Sequence, residues 1–417
     1  MLNYLVDSNS QIMTMMIMIG MIFAYEKCAY NTKVSILTMR FSLLAGLIMA
    51  GVLTFYKNTT RTFDNQMWNM GVFAVTAAML VLFLVFALIG RKKPRFGQWA
   101  VSLVLAVENA VLLLYFLPPL FDMPRAMLLA EQTILSSDFL LKLICFGAGI
   151  LLTFLAGLAV FKILYALGTG MSLVFMVIAL LLNTCKNLAA TFGILLTKRL
   201  IGNNHTLFVI SRNSANYSDI YIYAALALCL VAALILLVRS LHVNEPYSNP
   251  AQHRKIRAKW RNRRRWIALE IICVLCSVLT MTVLYNIANQ EVELSPIEDA
   301  AKVDDTAVYV SFDQVSDGHL HRFGYESPDG TVIRFIVIQK PNSSSYGIGL
   351  DACDICGETG YYEKNGQVVC NLCDVVMNIN TIGFKGGCNP IVIDYSIENG
   401  YIIVPIEGLL EYEKEFK

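Results

Sequence analysis

Long apolar runs separated by short polar breaks occupy roughly the first two thirds of the chain. A helix needs about 20 mostly apolar residues to cross a bilayer, and eight runs meet that requirement. They lie near residues 8–26, 38–56, 70–90, 98–118, 139–165, 171–196, 218–238 and 266–286. The first two are divided only by a short polar break around Glu26 and Lys33. The pattern therefore predicts eight transmembrane helices within residues 1–287.

After Ile287 the long apolar runs give way to short ones. A polar, acidic segment at 288–306 predicts a linker, and residues 307–417 predict a small β-rich domain. Within that domain, Ser-Pro-Asp-Gly at 327–330 indicates a hairpin turn. The C-terminal residues indicate two strands around an Asn-Gly pair and then a short helix. The remaining strand-like runs are residues 307–312, 319–327, 331–340 and 345–352. The predicted fold class is thus a polytopic α-helical membrane protein with a small C-terminal β-rich domain.

Composition supports the membrane assignment. The 417 residues are 56% hydrophobic and 15% charged, whereas soluble domains average about 45–50% and about 25%. The net charge of +2 gives no indication of a nucleic-acid partner. The basic stretch at 254–265 is instead expected to lie against anionic lipid, so the bilayer is the predicted partner. No basic segment precedes the apolar residues 11–25, and a cleaved signal peptide is not expected.

The distribution of basic residues predicts the orientation. Loops rich in Lys and Arg stay in the cytoplasm, and the connections at 91–95 and 239–265 are both strongly basic. With eight spans these two connections fall on the same side. The loop at 119–137 is acidic, as expected outside, although 197–217 carries three basic residues and fits less well. The N-terminus and everything after residue 287 are therefore expected to be extracytoplasmic.

Two ionisable residues lie in the middle of predicted spans. Glu108 lies in span four and Lys186 in span six. Charged groups at such depth are costly, so they usually pair or face a water-filled cavity. We expect an ion pair between the two spans. It can serve either to hold the bundle together or to line a path for a cation or proton.

Five cysteines cluster in the C-terminal domain. Cys353 and Cys356 form one C-x-x-C pair, Cys370 and Cys373 form a second after thirteen residues, and Cys388 follows after fourteen more. Two such pairs at this spacing indicate one thiolate metal site, and residues 361–369 between them predict a hairpin that returns the second pair to the first. Four thiolates suit tetrahedral zinc or iron, or an iron–sulfur cluster. Disulfides are the alternative in an oxidising compartment, but an odd number of cysteines cannot pair completely.

Besides the two C-x-x-C pairs, three residues are candidates for this site. Cys388 follows a glycine-rich segment, so its thiol can replace one of the other ligands or act as a separate redox group. His319 and His321 alternate by two on a predicted strand and share one face. They can join the ligand set, or they can be ordinary surface or packing histidines.

Six short motifs lie within about residues 307–395. They are H-L-H-R-F (319–323), R-F-I-V-I (334–338), Y-G-I-G-L-D-A-C-D-I-C-G (346–357), G-Y-Y (360–362), V-C-N-L-C (369–373) and T-I-G-F-K-G-G-C-N-P-I (381–391). Together these motifs resemble one known family, the FtrD-like membrane iron–sulfur proteins of bacteria. The resemblance implies a bacterial inner-membrane protein that accompanies an iron permease and extracytoplasmic iron-binding or redox proteins. It also implies iron or an iron–sulfur cluster on the five cysteines, with zinc as the alternative.

Three functions are consistent with these features. The leading hypothesis is a membrane-anchored redox or metal-relay component of an iron-transport system. The alternatives are a structural zinc-ribbon module that assembles a transport complex, and an ion-conducting subunit using Glu108 and Lys186. No catalytic residue is assigned, because the sequence contains no G-x-S-x-G, phosphate loop or H-E-x-x-H. The spans also lack the R-E-x-x-E motif of iron permeases.

Overall fold

The computed structural model describes most of the chain and divides it into two compact units, Met1–Asn289 and Gln290–Lys417. The basic residues 91–93, Glu131 and the glycine-rich residues 385–387 lie outside the described residues. The described ranges are 2–60, 62–90, 94–130, 137–202, 204–243, 245–289, 294–341, 343–364, 366–373, 375–384 and 388–417.

The first unit is helical. Its helices are α1 (Leu2–Ala29), α2 (Lys33–Thr59), α3 (Asn65–Gly90), α4 (Pro94–Ala130), α5 (Ser137–Leu167), α6 (Thr169–Thr197), α7 (His205–Asn216), α8 (Asp219–Leu241), α9 (Pro250–Leu279) and α10 (Tyr285–Ala288). A π-helical turn, Thr280–Leu284, joins the last two. Within the described ranges, eight helices are long and apolar enough to cross a membrane, as the sequence predicted. The protein is therefore a multi-span membrane protein.

Two segments that the sequence indicated as connections are helical. The amphipathic α7 occupies the segment between spans six and seven. The basic segment before span eight belongs to α9, which begins at Pro250 directly after its cap, Asn249. The Asn249 side chain accepts a hydrogen bond from the N–H of Gln252, and proline is favoured at the first helical position. The basic residues therefore continue the last span as one helix.

Helix α1 is largely enclosed by the other helices and packs mainly on α5. Glycines allow the two backbones to approach closely. A Cβ atom added at Gly157 would lie 2.6 Å from the carbonyl oxygen of Met16. Small residues are typical of such helix contacts in membranes, where close packing replaces the hydrophobic effect.

The second unit contains three antiparallel sheets, in the orders β1-β2-β10-β9, β3-β4-β5 and β6-β7-β8. The predicted strands, the hairpin turn and the final strand–strand–helix element are all present. The elements are β1 (Lys302–Val303), β2 (Ala307–Ser311), α11 (Phe312–Val315), β3 (His321–Glu326), β4 (Val332–Gln339), β5 (Tyr346–Leu350), β6 (Tyr361–Lys364), β7 (Gln367–Cys370), β8 (Val376–Met377), β9 (Ser396–Glu398), β10 (Tyr401–Pro405) and α12 (Ile406–Leu410).

Strand β4 separates two hydrophobic cores. Because strand side chains alternate, Phe335 and Val337 pack into a core with the first sheet, while Ile336 and Ile338 face the other side. That second core contains buried cysteines. The sheet β3-β4-β5 thus lies between the two cores, and one of its faces packs against the cysteine-rich side of the unit.

Candidate metal centre

The first C-x-x-C pair forms a closed turn directly after β5. The N–H of Cys353 donates to the carbonyl of Gly357 at 3.1 Å, and the N–H of Gly357 donates back to the carbonyl of Cys353 at 2.9 Å. Gly357 has φ +67°, a left-handed conformation that glycine adopts without steric cost. The turn also aims the N–H of Cys356 at the Cys353 sulfur, 3.1 Å away. Such a turn brings both thiols to one side of the backbone.

The second pair extends from a hairpin. Strands β6 and β7 pair antiparallel, with Tyr361 opposite Cys370, and this is the hairpin that the sequence predicted. The N–H of Cys370 then donates to the carbonyl of Val375 at 3.1 Å, which closes the turn that carries Cys373. The hairpin therefore returns the second pair of thiols to the first.

Cys388 reaches the same place from a third segment. Its Sγ atom lies 3.6 Å from the Sγ of Cys373. The hydroxyl of Tyr361 donates to the Cys388 carbonyl at 2.7 Å. Beyond it, the chain is fixed to β5, because the N–H of Leu350 donates to the carbonyl of Ile391 at 2.8 Å. Cys388 is thus part of the same thiol cluster rather than a separate group.

The five thiols form two overlapping sets of three. Cys353, Cys356 and Cys370 form one set, and Cys356, Cys373 and Cys388 form the other. Within each set the sulfurs all lie within 4.8 Å of one another. Each of these cysteines is a free thiol. Cys356 is the only member common to both sets, among the residues that the structure describes.

The spacing fits metal binding. Sulfurs on a tetrahedral ion with metal–sulfur bonds of about 2.3 Å are about 3.8 Å apart, close to the 3.6 Å between Cys373 and Cys388. A disulfide would bring the sulfurs to about 2.05 Å. The residues present therefore suit a thiolate-bound ion.

The ionisation of the clustered thiols also favours a bound cation. Burial and the neighbouring thiols raise the pKa of Cys356 well above its usual range. The hydrogen bond with Cys373, together with burial, raises the pKa of Cys388. Burial acts to raise the pKa of Cys373. Hydrogen bonds from the Val375 N–H and the neighbouring thiols outweigh burial, so the pKa of Cys373 is lowered. Crowded thiols resist ionising together, and a bound cation removes that resistance by displacing their protons.

A buried ion-pair network lies under the first pair and was not found from the sequence. The fully buried carboxylate of Asp351 accepts from Arg322 Nε at 3.0 Å and Nη2 at 2.5 Å. Arg334 Nε lies 3.4 Å away, and the N–H of Tyr361 donates to the other carboxylate oxygen at 2.8 Å. Asp351 is two residues before Cys353, so this network fixes where the cysteine turn begins. The available signal was Arg334, a charged residue in the mostly apolar strand β4.

His319 and His321 do not lie at the thiols. His319 Nδ1 is 3.0 Å from a carboxylate oxygen of Glu363. His321 Nδ1 is 2.9 Å from Glu298, and its Nε2 is 2.8 Å from Asp317. The hydrogen bond with Glu363 raises the pKa of His319. Burial acts to lower the pKa of His321, but Asp317 and Glu298 outweigh it and raise the value.

The expected ion pair between Glu108 and Lys186 is wrong. Glu108 is buried, and its Oε2 atom has no hydrogen-bond partner among the described residues. Of the ion pairs in the described part of the chain, none joins it to Lys186. Lys186 instead lines a small cavity together with Asn183 and Tyr221. Residues at similar depth need not be close, because their helices pack on different neighbours. Helix α4, which carries Glu108, packs mainly on α2 and α3, whereas α6, which carries Lys186, packs mainly on α7, α1 and α3.

The comparisons with known proteins show that part of the cysteine-rich unit is similar to one family. Residues 315–416 match the family model described as membrane iron-sulfur containing protein FtrD-like. This match confirms the resemblance that the motifs carry and includes the five clustered cysteines. Neither a curated protein nor a solved structure gives a significant match to the chain.

Proposed function

We propose that this protein is a metal- or iron–sulfur-binding redox or metal-relay component of a bacterial iron-transport system, anchored in the cell membrane. The observation that carries the proposal is the cluster of five free thiols, arranged as two sets that share Cys356. The family match to the same residues supports iron as the metal. Zinc is the alternative, and it would make the unit a structural module for assembly of a transport complex.

The chain gives the cluster a closed side and an open side. Cys353 and Cys370 are buried in the core beside β4, whereas Cys373 is exposed and Cys388 is half-buried. Bound iron would supply one-electron chemistry here. The buried thiols and the Asp351 network hold the geometry, and the open side formed by Cys373 and Cys388 is where a donor or acceptor can approach.

The proposed location follows from charge. The basic connections predict that the N-terminus and the cysteine-rich unit are outside the cytoplasm. In that position the unit can meet an iron permease and extracytoplasmic iron-binding or redox proteins, which we propose as its partners. Iron would thus be oxidised, reduced or held before it crosses the membrane.

The test is metal analysis of the full chain, purified anaerobically in detergent. We expect iron bound to the protein and visible thiolate charge-transfer absorption, both lost in Cys356→Ser. Cys185→Ser, which removes an exposed thiol on α6, is the matched control and should change neither. Stoichiometric zinc without visible absorption would overturn the redox proposal and leave the structural module.

One observation favours a second candidate, an ion-conducting subunit. Glu108 holds a carboxylate oxygen without a partner among the described residues, at the middle of a membrane span. Such groups usually mark ion or proton paths. For this function, Glu108→Gln and Lys186→Met should each abolish iron accumulation in cells at unchanged membrane levels of the protein. Normal accumulation in both variants would reject it.

A further inference from the structure

A cavity of about 760 Å³ lies in the helical unit between the first turns of α2 and α4. Ligand pockets in proteins span about 300–1,000 Å³, so this volume is sufficient for a ligand. The Nε2 atom of Gln98 donates to Thr32 Oγ1 at 3.2 Å, which connects the two helix starts. Farther along, a Cβ atom added at Gly46 would lie only 3.0 Å from the Cα atom of Ala110. The two helices therefore run in the same direction and enclose this space, the α2–α4 cavity, at their N-terminal ends.

Aromatic side chains form much of the apolar wall of the α2–α4 cavity. The rings of Phe86 on α3 and Phe96 on α4 meet edge to face, with centroids 6.1 Å apart. Gly90 and Gly97 allow this approach, since a Cβ atom added at Gly97 would overlap the Cα atom of Gly90. Trp99 also lines the cavity, and its side chain is 63% exposed. Because an exposed ring on a membrane span faces lipid, the cavity opens sideways to the bilayer.

The polar side of the α2–α4 cavity is formed at the helix starts. Arg95 is the only charged residue among the described residues that line it. Within the described chain, no carboxylate forms an ion pair with this guanidinium. The first turns of α2 and α4 border the same space, and their N–H groups are at the positive end of the helix dipole. An arginine and two helix N-termini together favour an anion.

One acidic residue lies close to the α2–α4 cavity but does not line it. Ser35 and Ser102 line the cavity, and both hydroxyls donate to Oε1 of Glu26, from Ser35 at 2.5 Å. Glu26 itself is only 2% exposed. The two serines thus separate its carboxyl group from the cavity, and the charge that a ligand meets there is that of Arg95.

We propose that the α2–α4 cavity binds an anionic phospholipid from the surrounding bilayer. The phosphate group lies at Arg95 and the helix starts, and Gln98 has a second amide hydrogen for an ester carbonyl of the lipid. One acyl chain lies along Trp99 and Leu103. Leu103 follows Arg95 by eight residues, or about 12 Å along a helix, which is the direction from the head groups into the hydrocarbon.

A lipid fits this cavity better than a free anion does, because the apolar wall opens to the bilayer. Basic pockets between helices on the cytoplasmic side commonly bind anionic head groups. The basic connection at 91–95 predicts that this end of α4 is cytoplasmic. The lipid would hold α2, α3 and α4 together at that surface. This inference does not depend on which metal the thiols bind.

Trp99 provides the signal for a test with the full chain. The protein is reconstituted in phosphatidylcholine vesicles that contain a small fraction of phosphatidylglycerol brominated on its acyl chains, because bromine quenches tryptophan fluorescence on contact. The contribution of Trp99 is the difference between each protein and the same protein with Trp99→Phe. We expect brominated phosphatidylglycerol to quench it at least about fivefold more effectively than brominated phosphatidylcholine, the factor that one basic residue contributes.

Two charge variants identify the residue responsible. Arg95→Gln should remove the preference for phosphatidylglycerol, because it removes the charge that contacts the phosphate. Arg125→Gln, at an exposed arginine near the other end of α4, is the matched control and should retain the full preference. Equal quenching by the two brominated lipids in the unaltered chain, or equal preference in both variants, would overturn the proposal.

Two further measurements distinguish lipid in the cavity from charge at the surface. Ala100→Phe fills the α2–α4 cavity without changing its charge, so it should also remove the preference, and circular dichroism checks that the variant folds. Inorganic phosphate should not reverse the quenching, because it has no acyl chain. A preference that persists in folded Ala100→Phe would overturn the cavity as the site, and reversal by inorganic phosphate would leave a simple anion site.

Discussion

Asp351→Asn tests the buried network under the cysteine turn. The substitution keeps the size of the side chain and an oxygen that can accept from the Tyr361 N–H. It removes the charge that compensates Arg322, whose side chain is only 6% exposed. Removing one partner of a buried ion pair costs about 3–5 kcal/mol, because the other charge is left in a medium of low dielectric. This loss is a large part of the free energy of unfolding of a typical domain, which is about 5–15 kcal/mol.

Native-state hydrogen exchange measures this loss without unfolding the membrane helices. Backbone amides in β3, β4 and β5 should exchange faster by roughly two to four orders of magnitude, because each factor of ten corresponds to about 1.4 kcal/mol. Amides of α5 and α9 should not change and provide an internal reference. Asp354→Asn, at an exposed carboxylate three residues later, is the matched control and should have little effect.

The reasoning fails if Asp351→Asn accelerates exchange no more than Asp354→Asn does. A double variant with Arg322→Met gives a further check. Because that variant also removes the uncompensated buried charge, the two changes together should cost less than the sum of the single changes. Simple addition would show that the two side chains do not stabilise each other.

Three further predictions concern the thiol cluster and the helix packing. Cys356→Ser should reduce the metal content of the purified chain far more than Cys388→Ser does, because only Cys356 belongs to both sets of thiols; equal retention would contradict this. Gly349→Ala places a methyl carbon 2.7 Å from the Cβ atom of Pro390, two residues after Cys388. The substitution should lower the free energy of unfolding by about 1–3 kcal/mol and speed alkylation of Cys388 in metal-free protein. An unchanged alkylation rate would refute the role of that contact. Gly157→Val should lower the melting temperature of the protein in detergent. Gly147→Val is the control and should not lower it, because no atom lies within 4 Å of the Cβ position at Gly147. Equal melting temperatures for the two variants would contradict close packing of α1 on α5.

The sequence was a good guide wherever a local pattern determines the structure. Apolar length identified the eight membrane helices, and alternation with turn residues identified β2 to β5 and the hairpin before Cys370. Spacing indicated that the two C-x-x-C pairs share a site, and the structure brings their thiols together. The family match added which part of the chain carries this site.

Contacts between distant segments were harder to predict. Nothing in the sequence says which helix packs on which, and for this reason the pairing of Glu108 with Lys186 failed. Nor does strand composition reveal that Arg322 and Asp351 meet in the core. The glutamates that contact His319 and His321 come from segments 44 and 23 residues away in the sequence. Such pairs depend on the three-dimensional arrangement rather than on local pattern.

The enclosure of α1 by α5 has a consequence for biosynthesis. The first helix leaves the ribosome before α5, yet it has the lowest mean hydropathy of the eight, 1.5, and it buries Ser8, Asn9 and Glu26. Glu26 finds its partners Ser35 and Ser102 on α2 and α4, but Ser8 and Asn9 pack beside Gly149 of α5 and face lipid or the insertion machinery until that helix has been synthesised. We therefore expect α1 to settle in the bilayer late, and chains truncated after Ala130 to be extracted from membranes by carbonate more easily than chains that include α5. Membrane insertion and folding of this protein would then be a single coupled process.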